Sequence, residues 1–440
     1  MLERLLHSDV GAGLEEVEVA PDTLAMLLLL KGTLVTPGSL DRLLVSPQQL
    51  LVAIINMLCE VPQLCKHAES LLHGVEGEEA LAAVDRRCWK GIMKGKRHGD
   101  VPEKWRRHTM GCLDKDRHTQ LENAIIHEDE EMALAALESD FGARACRRIN
   151  HRTGTTALML AVERRQERVC TAMLSNFGAD GCNLHAVDNL GGTALMKTCV
   201  NEMDDAALGM LEFGPEACNL GHVGKNGKTA LLEACWKRMD SVVVKMLGFG
   251  PEACNLGQVD KYGDTSLIIA CMKRLEDSAL KMLEPGPKAC NLGHVDDDGN
   301  TALQWACMSR LDGVVVKMLS FGPEACNLGQ ADNDGMTSLM IACLEGMDGV
   351  AVKMLEFGPE ACKLGLVTND GDTALIKACM KKRKDVALKM LEFGPEACKL
   401  DQVNNNGDTA RDWLVKVPEM QEVLDTVVRM LDTESDVDDV

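Results

Sequence analysis

Nineteen cysteines and eleven histidines are the side chains of this 440-residue chain best able to hold a metal, form a crosslink or act as nucleophiles. The spacing of the cysteines argues against all three. Cys146, Cys182, Cys218, Cys254, Cys290, Cys326, Cys362 and Cys398 fall at a constant interval of 36 residues, and Cys199, Cys235, Cys271, Cys307, Cys343 and Cys379 repeat that interval. Equivalent positions on stacked helical layers lie roughly 8–10 Å apart, whereas a disulfide needs Cα atoms within about 7 Å. Neighbouring rungs of one ladder therefore cannot bridge without distorting the stack, while pairing across the two ladders stays open. The recurring Ala-Cys pair is expected to fill a slot sized for small apolar side chains.

Other constellations fall short of their chemistry. Cys88, His98, His108 and Cys112 lie within one stretch but lack the tight Cys-x₂₋₄-Cys pair of a structural zinc site. His127-Glu128-Asp129-Glu130-Glu131 lacks the second histidine of a zincin and reads as a solvated turn or helix start. Gly227-Lys228-Thr229 looks like the end of a phosphate loop, but His222 stands where the earlier glycine must be. With no Ser-His-Asp set or glycine-rich nucleotide loop, neither an enzyme nor a cofactor is expected.

The elements that carry these residues repeat at the same interval. Thr193-Ala194-Leu195, Thr229-Ala230-Leu231, Thr265-Ser266-Leu267, Thr301-Ala302-Leu303, Thr337-Ser338-Leu339 and Thr373-Ala374-Leu375 mark the register, and looser copies start at Thr119, Thr156 and Thr409. A fixed period of this length indicates a solenoid or propeller. Asp260–Val295 shows which. Gly263 suits a tight turn of positive φ; Thr265 starts a helix with Leu267, Ala270 and Cys271 on its apolar face; a second helix buries Ala279, Met282 and Leu283 and stops at Gly286-Pro287. Asp204, Asp240, Glu276, Asp312 and Asp348 stand at successive second-helix starts, where they are expected to cap free N–H groups and meet the positive end of the dipole.

Turn, short helix, short helix, loop: from roughly Arg117 to Leu431 the chain resembles an array of ankyrin repeats. The resemblance rests on Asp-x-x-Gly-x-Thr-[Ala/Ser]-Leu-x-x-Ala followed by Lys-Met-Leu, as in Lys245-Met246-Leu247, Lys281-Met282-Leu283 and Lys317-Met318-Leu319. It departs from the family in reading Thr-Ala-Leu for Thr-Pro-Leu-His. Its unit of 36 residues exceeds the usual of about 33, the excess lying in Gly-Pro-Glu-Ala-Cys-Asn-Leu-Gly. Such units look like those of large DNA viruses of eukaryotic cells. The fold expected is all-α: an ankyrin-like solenoid of about nine units over 118–431, with a small N-terminal helical domain over 1–85, a basic linker over 86–117 and an acidic disordered tail over 432–440.

The resemblance implies an intracellular protein-binding scaffold, cytoplasmic or in a host cytoplasm, that meets its partner with the turn tips and the exposed side of the first helix. Seven residues after each threonine stand Val200, Trp236, Met272, Met308, Leu344 and Met380, a candidate apolar strip. Trp236, Tyr262, Met272, Trp305 and Met308 cluster within adjacent units and are the partner-binding candidates. The opposing expectation is that these side chains only seal one repeat against the next. Acidic tips at Asp297, Asp298, Asp332 and Asp334 favour a partner with a basic patch. The array is expected to act as a monomer.

At the N-terminal end, short helices are punctuated by Pro21, Pro37, Pro47 and Pro62. Ser46-Pro47-x-x-Leu50-Leu51, followed by Cys65 and Trp89, faintly echoes an F-box. This gives the alternative of a substrate receptor whose N-terminal domain recruits a ubiquitin ligase or another effector. Arg86–Arg117 is basic, with Trp89 and Trp105 interleaved, a pattern that can bind single-stranded nucleic acid. A net charge of −21 opposes that reading and an anionic membrane alike. No apolar run reaches the roughly 20 residues of a membrane span, and Glu3 with Glu15, Glu16 and Glu18 does not suit a secretory signal. Near the other end Arg411 and Asp412 replace buried positions, as a terminal cap requires.

Overall fold

The computed structural model describes residues 118–139 and 141–435 together with scattered positions between 52 and 105. Contacts group the chain into two bodies, residues 1–183 and 184–440. Among the described residues the regular elements are helices, joined in places by single β-bridges at the turns.

Nine threonines set the register of the helices. Thr119, Thr156, Thr193, Thr229, Thr265, Thr301, Thr337, Thr373 and Thr409 all have extended backbones, and each side chain accepts the N–H three residues on. This satisfies a donor that a helix start leaves free. The glutamate after Thr119 completes a capping box: Glu122 is fully buried, takes the Thr119 N–H at 2.6 Å and pairs with Arg148 at 2.7 Å.

In the second body the first helices are Ala194–Val200, Ala230–Trp236, Ser266–Lys273, Ala302–Met308, Ser338–Glu345 and Ala374–Met380. They alternate with second helices Asp204–Leu211, Asp240–Leu247, Glu276–Leu283, Asp312–Leu319, Asp348–Leu355 and Lys384–Leu391. First helices pack on first helices and second on second, so each repeat shields its neighbour's apolar side. Leu267, Ala270, Cys271, Ala279, Met282 and Leu283 are all buried, as their spacing requires.

Two expectations are corrected and one open point is settled. The acids at second-helix starts cap nothing: Asp204, Asp240, Glu276, Asp312 and Asp348 are the first residues inside their helices, no side-chain cap is made, and an apolar residue such as Met239 or Leu275 occupies the cap. They still lie at the positive helix end, and two of them accept serine hydroxyls of the following repeat, Ser241 on Asp204 and Ser278 on Asp240. The extra residues of each repeat, whose conformation the sequence left open, form an ordered turn: in Pro251–Leu256 the Leu256 N–H reaches the Pro251 carbonyl at 2.9 Å, and Cys254 and Leu256 are buried. Finally, helix Gln421–Ser435 continues through 432–435, expected as acidic tail, because Val423 and Val427 anchor one face in the core; residues 436–440 lie outside the described residues.

In the first body, Val52, Ile55, Leu72, Val75, Leu81, Val84, Cys88, Trp89, Val101 and Trp105 form one buried cluster. Trp89 and Trp105, from the basic stretch, have ring centroids 6.0 Å apart within it. The indoles that could have stacked on bases are thus occupied with each other and with aliphatic neighbours.

Candidate functional site

Most turns are built from one side-chain acceptor and one glycine; Gly224 leaves the Asn226 turn without the acceptor, and in the Asp370 turn Thr368 supplies a hydroxyl in its place. The Asp260 carboxylate takes the N–H groups of Tyr262 at 2.8 Å and Asp264 at 3.1 Å, and Gly263 closes the turn with φ of +80°. Asp188, Asp296 and Asp332 repeat that geometry, and Asn404 substitutes for aspartate with the same two bonds. Tips are also tied to one another. The N–H of Lys261, Asp297, Asn333, Asn369 and Asn405 each reaches the carbonyl of the preceding tip, at 2.9–3.2 Å. The side chains two residues after the acceptor are therefore presented on a backbone fixed from both sides.

On this frame the five candidate residues divide. Tyr262 is 54% exposed at a tip and Trp236 is 39% exposed at the end of its first helix. Met272 and Met308, at the same repeat position as Trp236, are half-buried, as are Leu344 and Met380, while Val200 is exposed. The strip thus lies at the surface, and the helices that carry it pack side by side. Trp305 differs. It stands three residues closer to its threonine, is half-buried, and donates its indole N–H to the Asp296 carboxylate at 2.7 Å, bracing its own turn.

Electrostatics separate the same face. Lys273 Nζ sits 3.8 Å from the Trp236 ring centroid and Lys228 Nζ 5.6 Å from it, and Lys261 Nζ lies 4.7 Å from the Tyr262 ring centroid. The next tips carry Asp297 and Asp298, followed by Asp332, Asp334 and Asp370. Between the two zones Asp264 is nearly buried, and burial, followed by Asp260, Asp296 and Asp298, pushes its carboxyl up to about 6.

The cysteines described are free and buried. Cys218 donates its thiol to the Met210 carbonyl at 2.8 Å and Cys362 to that of Met354 at 2.9 Å, whereas Cys254 turns to the Gly250 carbonyl at 3.2 Å. In the repeats burial raises the thiols, Cys254 to about 11 and Cys218, Cys343 and Cys379 to about 12, so thiolate chemistry is suppressed there. Among the described residues no three His, Cys, Asp or Glu side chains are grouped to hold a metal. Gly227 has positive φ and Thr229 caps a helix, so the Gly-Lys-Thr run is a repeat turn. His127 ends one helix and Asp129 caps the next, which makes the histidine–acid run a helix junction. His98, His108, Cys112, Ser46, Pro47, Leu50, Leu51 and Cys65 lie outside the described residues.

One surface signal was overlooked in the sequence. All seven phenylalanines, Phe141, Phe177, Phe213, Phe249, Phe321, Phe357 and Phe393, share one repeat position, with Pro285 replacing the eighth. Six of them follow second helices and Phe177 lies within helix Glu167–Cys182, and each is exposed or half-buried. The period that exposed the cysteine ladders would have revealed them.

No family model matches the chain, and no curated protein matches it. Among solved structures it is similar to the crystal structure of the ankyrin repeat domain of Bcl-3, described as a unique member of the IkappaB protein family. Identity is 19%, the match covers 54% of this chain and 99% of that one, and the TM-score is 0.39. The paired helices, capped first helices and linked turn tips described above make the second body an all-α, ankyrin-like solenoid. No helix among the described residues is long and apolar enough to cross a membrane.

Proposed function

We propose that this chain is a protein-binding scaffold that holds its partner on the turn tips and the first-helix face. The observation that carries this reading is the exposure of Trp236 and Tyr262 on an otherwise interlocked framework. Large aromatics left in water cost hydrophobic free energy and make effective anchors when covered. The turn backbone is held by hydrogen bonds that recur in most units, while the tip side chains change freely: Leu190, Asn226, Tyr262, Asp298, Asp334, Asp370 and Asn406. A constant frame with variable contacts suits recognition. Sixteen free, buried cysteines suit a reducing compartment, in keeping with an intracellular partner.

The double replacement Trp236→Ala and Met272→Ala tests the reading in the full chain, with thermal melting and capture of partner proteins measured together. Lost capture with near-unchanged melting is the expected result. Unchanged capture, or a melting temperature that collapses with it, would mean that the strip only seals the repeats.

A further inference from the structure

Trp236 and Tyr262 are the exposed aromatics of the tip face, and both are overlaid by ammonium groups. Lys228 is balanced locally: its Nζ is 3.4 Å from Glu233, and Asp264 lies nearby. Among the described residues Lys261 and Lys273 have no carboxylate ion-pair partner, and Arg274 stands exposed beside Lys273. In a chain of net charge −21 that pairs Lys237 with Glu202 and Lys245 with Glu212 in this same region, Lys261 and Lys273 are held over exposed aromatic rings instead of on an acid.

We infer that the partner segment seated on Trp236 and Tyr262 is an acidic stretch of polypeptide, its carboxylates meeting Lys261 and Lys273 and an apolar side chain covering the indole. The inference rests on the protein-binding reading above and narrows it. A basic segment is disfavoured here because the ring faces already carry cations and a second layer would be repelled. Nucleic acid is disfavoured because a continuous phosphate backbone leaving this patch would run onto Asp297, Asp298 and Asp334. The change of sign from Lys261 to Asp297 over one repeat also fixes direction: a partner following the tips has its acidic stretch on the lysine side, and any basic stretch belongs over the aspartates.

The test uses full-length protein and fluorescein-labelled peptides that share a leucine-containing frame with Glu, Gln or Lys at the alternate positions, plus a single-stranded oligothymidylate. The Glu peptide is expected to bind tightest, to weaken with salt, and to lose about tenfold in affinity on K261Q/K273Q, while D297N/D298N does not weaken it. Equal or tighter binding of the Gln or Lys peptide, preference for the oligothymidylate, or indifference to K261Q/K273Q overturns the inference. The broader reading fails separately. If W236A/M272A abolishes partner capture but the Glu peptide does not bind, the scaffold reading survives and the acidic partner does not; if neither variant alters capture, the scaffold reading falls.

Discussion

Asp264 is the weak point of the turn ladder, and replacing it with asparagine is expected to stabilise the protein at neutral pH. The site can be compared with its own repeat. At the equivalent place two thirds of the way along the second body, Asp372 receives Lys377 at 2.7 Å and the Asn404 amide at 2.8 Å. Around Asp264 the corresponding residues are Ile269 and Asp296, so the directly bonded lysine is replaced by the weaker influence of Lys228 and the amide has become a second carboxylate. Raising the carboxyl from 3.8 to about 6 corresponds to about 3 kcal/mol, at about 1.4 kcal/mol per pH unit. Water at the turn edge screens this to about 1–2 kcal/mol. The sign follows from linkage. Folded Asp264 binds its proton more tightly than the unfolded chain, so the wild type incurs nothing below about pH 4, loses stability as pH rises through about 6, and bears the full penalty above it. Asn300 already occupies the same place one repeat later, so the amide fits. Urea unfolding should show D264N more stable than wild type at neutral pH, with the gap closing near pH 4. Amide exchange over Thr265–Ile269 should slow in parallel, a local readout suited to arrays that do not unfold in one step. Equal stability at neutral pH, or a gap that persists in acid, would refute the argument.

Gly263→Ala should cost more than about 1 kcal/mol, because φ is +80° and the added Cβ would lie 2.9 Å from the Asp296 Cα; chemical denaturation with and without the change measures it. The described cysteines should resist iodoacetamide in the folded protein at mildly alkaline pH and label fully in urea, as mass spectrometry of intact protein would reveal; rapid labelling of Cys254 or Cys343 in the fold would contradict their burial.

Much of this was legible in the sequence because the repeat makes each position an experiment performed several times. Thr265 is recognisable as a helix start since the same residue stands before the same apolar pattern in every copy, and Cys271 as core since it recurs beside alanine. The acids at Asp240 and Glu276 misled because a cap and the residue after it are adjacent in sequence, and only backbone angles tell them apart. The conformation of Pro251–Leu256 was not legible because glycine and proline mark a helix end without revealing that a further turn follows. Trp236 and Trp305 were grouped as equals. The structure separates them, since Trp305 finds Asp296 across its own turn and Trp236 stays exposed with two lysine ammonium groups over its ring.

The amino-acid order by itself determined the period, the capped helix starts, the turn glycines and the apolar side of each helix, since all of these depend on residues close together in the chain. What tertiary structure decided is which side chains the stacking leaves in water and which charges it leaves unpaired. Tyr262 and Trp236 stay exposed, Lys261 and Lys273 lie over their rings, and Asp264 faces Asp296 in place of an amide. Apart from Lys261, which lies beside Tyr262 in the chain, those outcomes depend on what the neighbouring repeat places against each residue, some 36 positions away, and local pattern carries no record of that contact.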